Sequence, residues 1–360
     1  MRGTYRATLV CSSRDFLIGA ILLYGYVYTA YKYGNPYLGR NDFFRYEQII
    51  LHPLDLSAVP APFVFRQIPA IVASAFYGVG LHFDTAASID SIGLDDATKR
   101  RFLAMIVSNG LAVCLTFTVL AGYLRRKLAS DGFINSLALF GIFAGWFYFP
   151  SAVIAPVTIG WGWLVSALFA IAFIERNVAV TAIACGIALF ARETTLVFAL
   201  TMFLALLFFG KERNRGVVGS VALLAASCLL YLVLRIGLTS GYAHQIDPVH
   251  IVAQLTSLDF PAHFFIQSVL AQGLLVLLLG LVAMRHPHYA AYLLLSAAAV
   301  LVMALATNVT DAGLLLGETL PFCAAIFMLA WSGALTAGAE KTLPARARGM
   351  HPGNSSEIDD

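Results

Sequence analysis

The strongest constraint on this chain is a series of apolar stretches, at 16–33, 102–124, 133–150, 153–174, 178–191, 194–209, 217–235, 264–283, 290–306 and 320–336. Each approaches the ~17 to 25 residues that carry a helix across a hydrocarbon core, and the shorter ones suit helices partly buried in protein. In lipid every backbone N–H and C=O must be paired within the protein, which a helix achieves inside a single segment. Composition points the same way. The 360 residues are 59% hydrophobic and 12% charged, where a soluble domain carries about a quarter charged. The expected fold is therefore all-α: a polytopic transmembrane bundle of about ten spanning helices. It would occupy residues 1–337 as one unit, because no long polar run separates the stretches. A short cytoplasmic tail, 338–360, lacks the apolar residues for a core.

Charge sets the expected orientation. Arg2, Arg6 and Arg14, then Arg125, Arg126 and Lys127, then Lys211, Arg213 and Arg215, then Arg285, then Lys341, Arg346 and Arg348 fall on one side if the helices alternate. By the positive-inside rule that side is the cytoplasm, and both termini lie there. The first apolar stretch follows basic residues as a signal peptide does, but its tyrosines and the lack of a small-residue cleavage site favour a retained anchor. The net charge of +3 is scattered over helix ends, which gives nucleic acid no basic face to bind. Five single cysteines without CxxC spacing predict neither a zinc site nor a disulfide framework.

This scheme leaves two long extracytoplasmic loops, 34–101 and 236–262, longer than mere connectors need to be. Within the first, FVFRQIPAIVASAFYGVGL (63–81) is apolar enough to cross. A full crossing would move Arg125–Lys127 outside, so the expectation is a helix in the outer interface.

The segment 178–209 is too long for one crossing and reads as a hairpin with ARETT at its extracytoplasmic tip. Arg192 and Glu193 at that tip admit two readings. They are charges snorkelling from helix ends, or they line a cavity, since neither is a turn former. Arg40, Arg45, Arg66 and Arg235 fall on the same side, against the usual bias. Guanidinium forks donate paired hydrogen bonds to phosphate oxygens, so an anionic ligand would explain the group. Pairing with carboxylates such as Asp42, Glu47, Asp247 or Glu318 would explain each member separately. Asp42 and Glu47, in GRNDFFRYEQII, are the acidic candidates near the membrane surface, where a carboxylate can accept a proton from a hydroxyl nucleophile. Asp42 is equally suited to capping a short helix.

One N-terminal helix, a long first loop with carboxylates, the helix FRQIPAIVA and the RETTLVF tip together resemble the GT-C class of integral-membrane glycosyltransferases. The resemblance extends to about residue 335. It implies a sugar donor carried on a polyprenyl phosphate, a site at the extracytoplasmic face of a bacterial plasma membrane, and a base in the first loop, Asp42 before Glu47. Taken with the outward arginine group, it makes the phosphate-bearing donor the expected ligand of Arg40, Arg45, Arg66, Arg192, Glu193 and Arg235. No adjacent acidic pair such as DD, DE or EE stands just after the first helix, and residues 338–360, beyond the bundle, are too few for a sizeable soluble domain. Charge on the leaving phosphate can be met by arginines or by a divalent metal ion. Beyond the donor and membrane lipid, no partner is indicated.

Other features carry less. Trp146, Tyr148, Trp161 and Trp163 suit an aromatic belt, with a sugar-stacking platform as the alternative. His244, His250 and His263 lack a metal-ligand spacing. A transporter or flippase of an anionic or lipid-linked substrate would place polar groups near the bilayer midplane, whereas here they crowd one surface. A membrane acyltransferase would want a histidine at its site, and no spanning stretch contains one.

Overall fold

The computed structural model describes residues 13–25, 28, 40–59, 63–80, 95–128, 132–146, 149, 158–210, 214–238, 272–307 and 312–335. These are helical, with no strand among them. We number the helices α1 (13–25), α2 (Arg40–Leu51), α3 (Gln67–Gly78), α4 (Asp96–Leu128), α5 (Gly132–Ala144), α6 (Ile159–Glu175), α7 (Val178–Ala191), α8 (Thr194–Phe209), α9 (Arg215–Leu238), α10 (Gly273–Arg285), α11 (Pro287–Thr307), α12 (Ala312–Gly317) and α13 (Leu320–Trp331). Two of them, Asp96–Leu128 and Arg215–Gly237, are long and apolar enough to cross a membrane.

Contacts between distant residues fix the direction of each helix. At one end Arg125 pairs with Asp15, Lys127 with Glu175 at 2.7 Å, and Arg285 Nη1 donates to the Trp331 carbonyl. Phe173 and Tyr289 meet edge to face near the same end. At the other end Arg66 meets Glu193, Arg192 meets Glu318, and Trp146 donates to Gln272. Helices α6, α7, α8 and α9 therefore alternate in direction. Thr181 and Ser220 share a hydrogen bond at 2.8 Å, which places α7 and α9 side by side and parallel, with α8 returning between them in sequence.

The turns are built from local chemistry. Arg176 ends α6 in the left-handed region (φ 53°), and the Asn177 side chain then accepts from the Ala179 and Val180 amides, capping α7. Gly216 sits against the Arg176 carbonyl, where a Cβ would come within 2.2 Å. At the ARETT tip no glycine is needed, because Arg192 is merely extended and Glu193 is right-handed helical. The Thr195 hydroxyl closes this turn by donating to the Arg192 carbonyl at 2.8 Å.

The segment 63–81 does not run the length of the bundle. A 3₁₀ turn, Phe63–Phe65, leads into α3, which packs antiparallel on the upper part of α4: Ser108 donates to the Pro69 carbonyl, and Arg101 lies 5.7 Å from the Tyr77 ring. The first-loop segments α2 and α3 thus form a helical cap with their own core of Tyr46, Ile49, Phe63, Val64 and Phe65.

Candidate functional site: a buried charge cluster beneath the first-loop cap

The cap is tied to the bundle by a run of buried polar side chains. Arg66, just before α3, forms a two-point ion pair with Glu193: Nη2 to Oε1 at 2.8 Å and Nε to Oε2 at 3.2 Å. Its Nη1 donates to the Tyr46 hydroxyl of α2 at 2.8 Å, which shares a 3.4 Å hydrogen bond with Thr158. Arg192 donates through Nε to Glu318 Oε1 at 2.6 Å and through Nη1 to Thr158 at 3.2 Å. The remaining Glu318 oxygen accepts from Thr194 at 2.5 Å. Both arginines and both glutamates are at least nine-tenths buried.

Two arginines against two glutamates leave the cluster neutral, the condition under which charges tolerate burial. Burial by itself disfavours the charged Glu193, but the Arg66 charge and hydrogen bonds outweigh it and hold the carboxyl below its usual range. The Arg66 guanidinium, also penalised by burial, is raised above its usual value by Glu193 and Tyr46. Both charges are therefore permanent near neutral pH.

Gly162 makes room for the second pair. A Cβ there would stand 3.1 Å from Arg192 Cγ and 3.3 Å from Glu318 Cγ and Cδ. The Glu318 turn is held by Trp163, whose Nε1 donates to the Gly317 carbonyl at 2.9 Å, and by Trp146, which lies where a Gly317 side chain would go.

The cluster gathers Arg66, Arg192 and Glu193 in one place. Glu47 lies in the cap but in a separate pair, its Oε1 accepting from Arg101 Nε at 2.6 Å and Thr98 at 3.0 Å. Arg45 lies over the Phe63 ring at 4.4 Å, on the flank of the cap. Arg235, half-buried, ends α9 near Tyr231, which packs on Phe65 of the cap. Arg40 and Asp42 fall inside α2, so Asp42 sits within the first helical turn rather than at its N-cap; their side chains lie outside the described residues. His244, His250, His263, Tyr148, most of the 236–262 loop and the 338–360 tail also lie outside them. Among the described residues no group of three or more His, Cys, Asp or Glu could hold a metal ion.

Three members of the cluster were not singled out by sequence: Tyr46, Thr158 and Gly162. Glu318 was visible only as one of several possible partners. A signal for it exists, since Glu-Thr interrupts apolar sequence twice, at 193–194 and 318–319. Of the aromatic group read from the sequence, the three tryptophans form neither an exposed belt nor an open platform. Trp146, Trp161 and Trp163 are buried, the first and last packed 5.6 Å apart in the core. Comparison with known protein families, curated proteins and solved structures finds no match for this chain.

Proposed function

We propose that the protein is an integral-membrane glycosyltransferase of the GT-C kind, moving a sugar from a polyprenyl-phosphate donor to an acceptor at the extracytoplasmic face of a bacterial plasma membrane. The observation that carries this reading is the Arg66–Glu193 pair, which docks the first-loop cap, with Asp42 and Glu47 on its helix α2, onto the ARETT tip. The cap and the basic flank of Arg45 and Arg235 then share one end of the bundle.

The ten-span reading belongs with this proposal. Asn109 of α4 accepts from the Gly160 amide at the level of the cluster, and from there to Leu128 the helix rises about 28 Å at 1.5 Å per residue. That is close to the ~30 Å hydrocarbon core. The cluster would lie at the outer boundary, the cap above it, and Arg14, Arg125, Arg126, Lys127, Arg176, Arg215 and Arg285 at the cytoplasmic boundary.

Arg66 and Arg192 are committed to carboxylates and serve as positioning residues. Contact to the donor phosphate falls instead to Arg45, which lies over the Phe63 ring on the flank of the cap, with Arg235 near the end of α9 as a further candidate. Asp42 is the first choice of base and Glu47 the second, the latter already holding Arg101. A divalent ion could share the phosphate charge. Incubating purified protein with a panel of polyprenyl-phosphate sugars tests the reading: transfer or donor hydrolysis that is lost in Asp42→Asn supports it, and inertness toward the whole panel overturns it. A transporter is the second reading, favoured by the break between α12 and α13 at Glu318. It predicts substrate uptake into sealed vesicles without chemical change.

A further inference from the structure

Just below the Arg192–Glu318 pair lies a cavity of about 10 Å³, counted as room for the centre of a water molecule. Its polar lining comes from three places in the chain: Ser166 on α6, Thr194 and Thr195 at the start of α8, and Glu318 and Thr319 between α12 and α13. Phe169 and Phe198 are among the apolar groups that line it. The Ser166 hydroxyl is buried and has no hydrogen-bond partner in the protein. A helical serine ordinarily satisfies itself on the carbonyl one turn back, and this one does not.

We propose that the cavity is a binding site for a single structural water that joins Ser166 to the Glu318 turn. The size is that of one water. The hydrogen bonds also balance. Thr194, Thr195 and Thr319 already donate, to Glu318, to the Arg192 carbonyl and to the Leu316 carbonyl, so their lone pairs are left to accept. A water can accept from Ser166 and donate to two of these oxygens or to the carboxylate, the roughly three bonds that buried waters make. The same oxygens could surround a sodium ion, but the charge count argues against one. Arg66 and Arg192 already neutralise Glu193 and Glu318, leaving no net negative charge to offset a buried cation.

The proposal is independent of the enzymatic reading, and stability measures it. Ser166→Ala removes the water's donor, and Ser166→Thr adds a methyl group that occupies the cavity and displaces the water. With a bound water, both variants lower Tm in detergent by about 2 °C or more. In a dry cavity, Ser166→Ala removes an unsatisfied hydroxyl and Ser166→Thr fills a void, so both hold or raise Tm, which overturns the proposal. A wild-type Tm that rises with sodium chloride but not with choline chloride would assign the site to a cation and overturn it as well. A high-resolution experimental map with density between Ser166 Oγ and Glu318 supports the water, and an empty map refutes it.

Discussion

Arg66 and Glu193, 127 positions apart, meet through two parallel hydrogen bonds of 2.8 and 3.2 Å in a buried site that also holds Arg192 and Glu318. This pair fastens the first-loop cap to the ARETT turn. Because α2 is part of the cap and its Tyr46 accepts from Arg66 at 2.8 Å, the placement of α2 depends on this pair.

Breaking the pair on one side leaves a buried charge without its partner. Arg66→Ala or Glu193→Ala should each cost about 3–5 kcal/mol. Arg66→Met with Glu193→Leu should recover most of that loss, since apolar replacements of similar volume remove both charges together. Unfolding midpoints of the two singles and the double, measured in one detergent, decide it. Additive losses would mean that the pair contributes no coupling.

Acid should weaken the same contact. Glu193 has a folded pKa held below its usual 4.5, so its stabilisation is complete above that value and is lost as pH falls through the folded pKa. Glu193→Gln should be less stable than wild type at pH 7, and the gap in Tm should narrow progressively below about pH 4.5. A gap that stays constant down to pH 3 would contradict the assignment.

Gly317 should tolerate no side chain. An added Cβ would lie 1.7 to 2.6 Å from the Trp146 ring, so Gly317→Ala forces the indole out of the core and should cost at least the ~1–3 kcal/mol typical of overpacking. Trp146→Leu on top of it should restore part of the loss by freeing the space. Gly186→Ala, facing open space in α7, is the control and should be neutral or slightly stabilising. Equal behaviour of Gly317→Ala and Gly186→Ala in a thermal-shift assay would refute this packing.

On the glycosyltransferase reading, donor binding should separate two kinds of arginine. Arg192→Lys keeps a charge but loses the fork that spans Glu318 and Thr158, so it should lower Tm. Arg45→Ala removes a guanidinium at the flank of the cap and should raise the KM for the polyprenyl-phosphate donor about tenfold, the scale of one charge-assisted hydrogen bond, with Tm nearly unchanged. An unaltered KM would move the phosphate contact away from Arg45.

Cysteine labelling tests the sidedness. In a cysteine-free background, a cysteine replacing Asp55 should react with an impermeant thiol reagent added to intact cells, and one replacing Asn214 should not. Asp55 lies in the loop between α2 and α3 of the cap, and Asn214 immediately precedes α9 at the basic end, accepting from the Gly216 amide. Labelling of Asn214 alone would invert the orientation.

The sequence by itself located most of the long apolar helices, though not the short α12. The apolar stretches 178–191 and 194–209 coincide with α7 and α8, because in a chain this apolar the ends of a helix are marked by the polar residues that interrupt it. Hydropathy undershot α4, which continues upward through Thr98–Arg101 because Glu47 of the cap neutralises Arg101. It also marked Arg66, Arg192 and Glu193 as unusual without revealing that they meet. Only the tertiary structure decided that Glu193 belongs to Arg66 and Glu318 to Arg192, that Gly162 and Gly317 are small to admit an ion pair and a tryptophan, and that Trp146 and Trp163 are core. The reason is physical: transfer from water depends on composition within one segment, whereas pairing and packing depend on which faces of remote helices touch, and uniformly apolar helices carry little face pattern to say so.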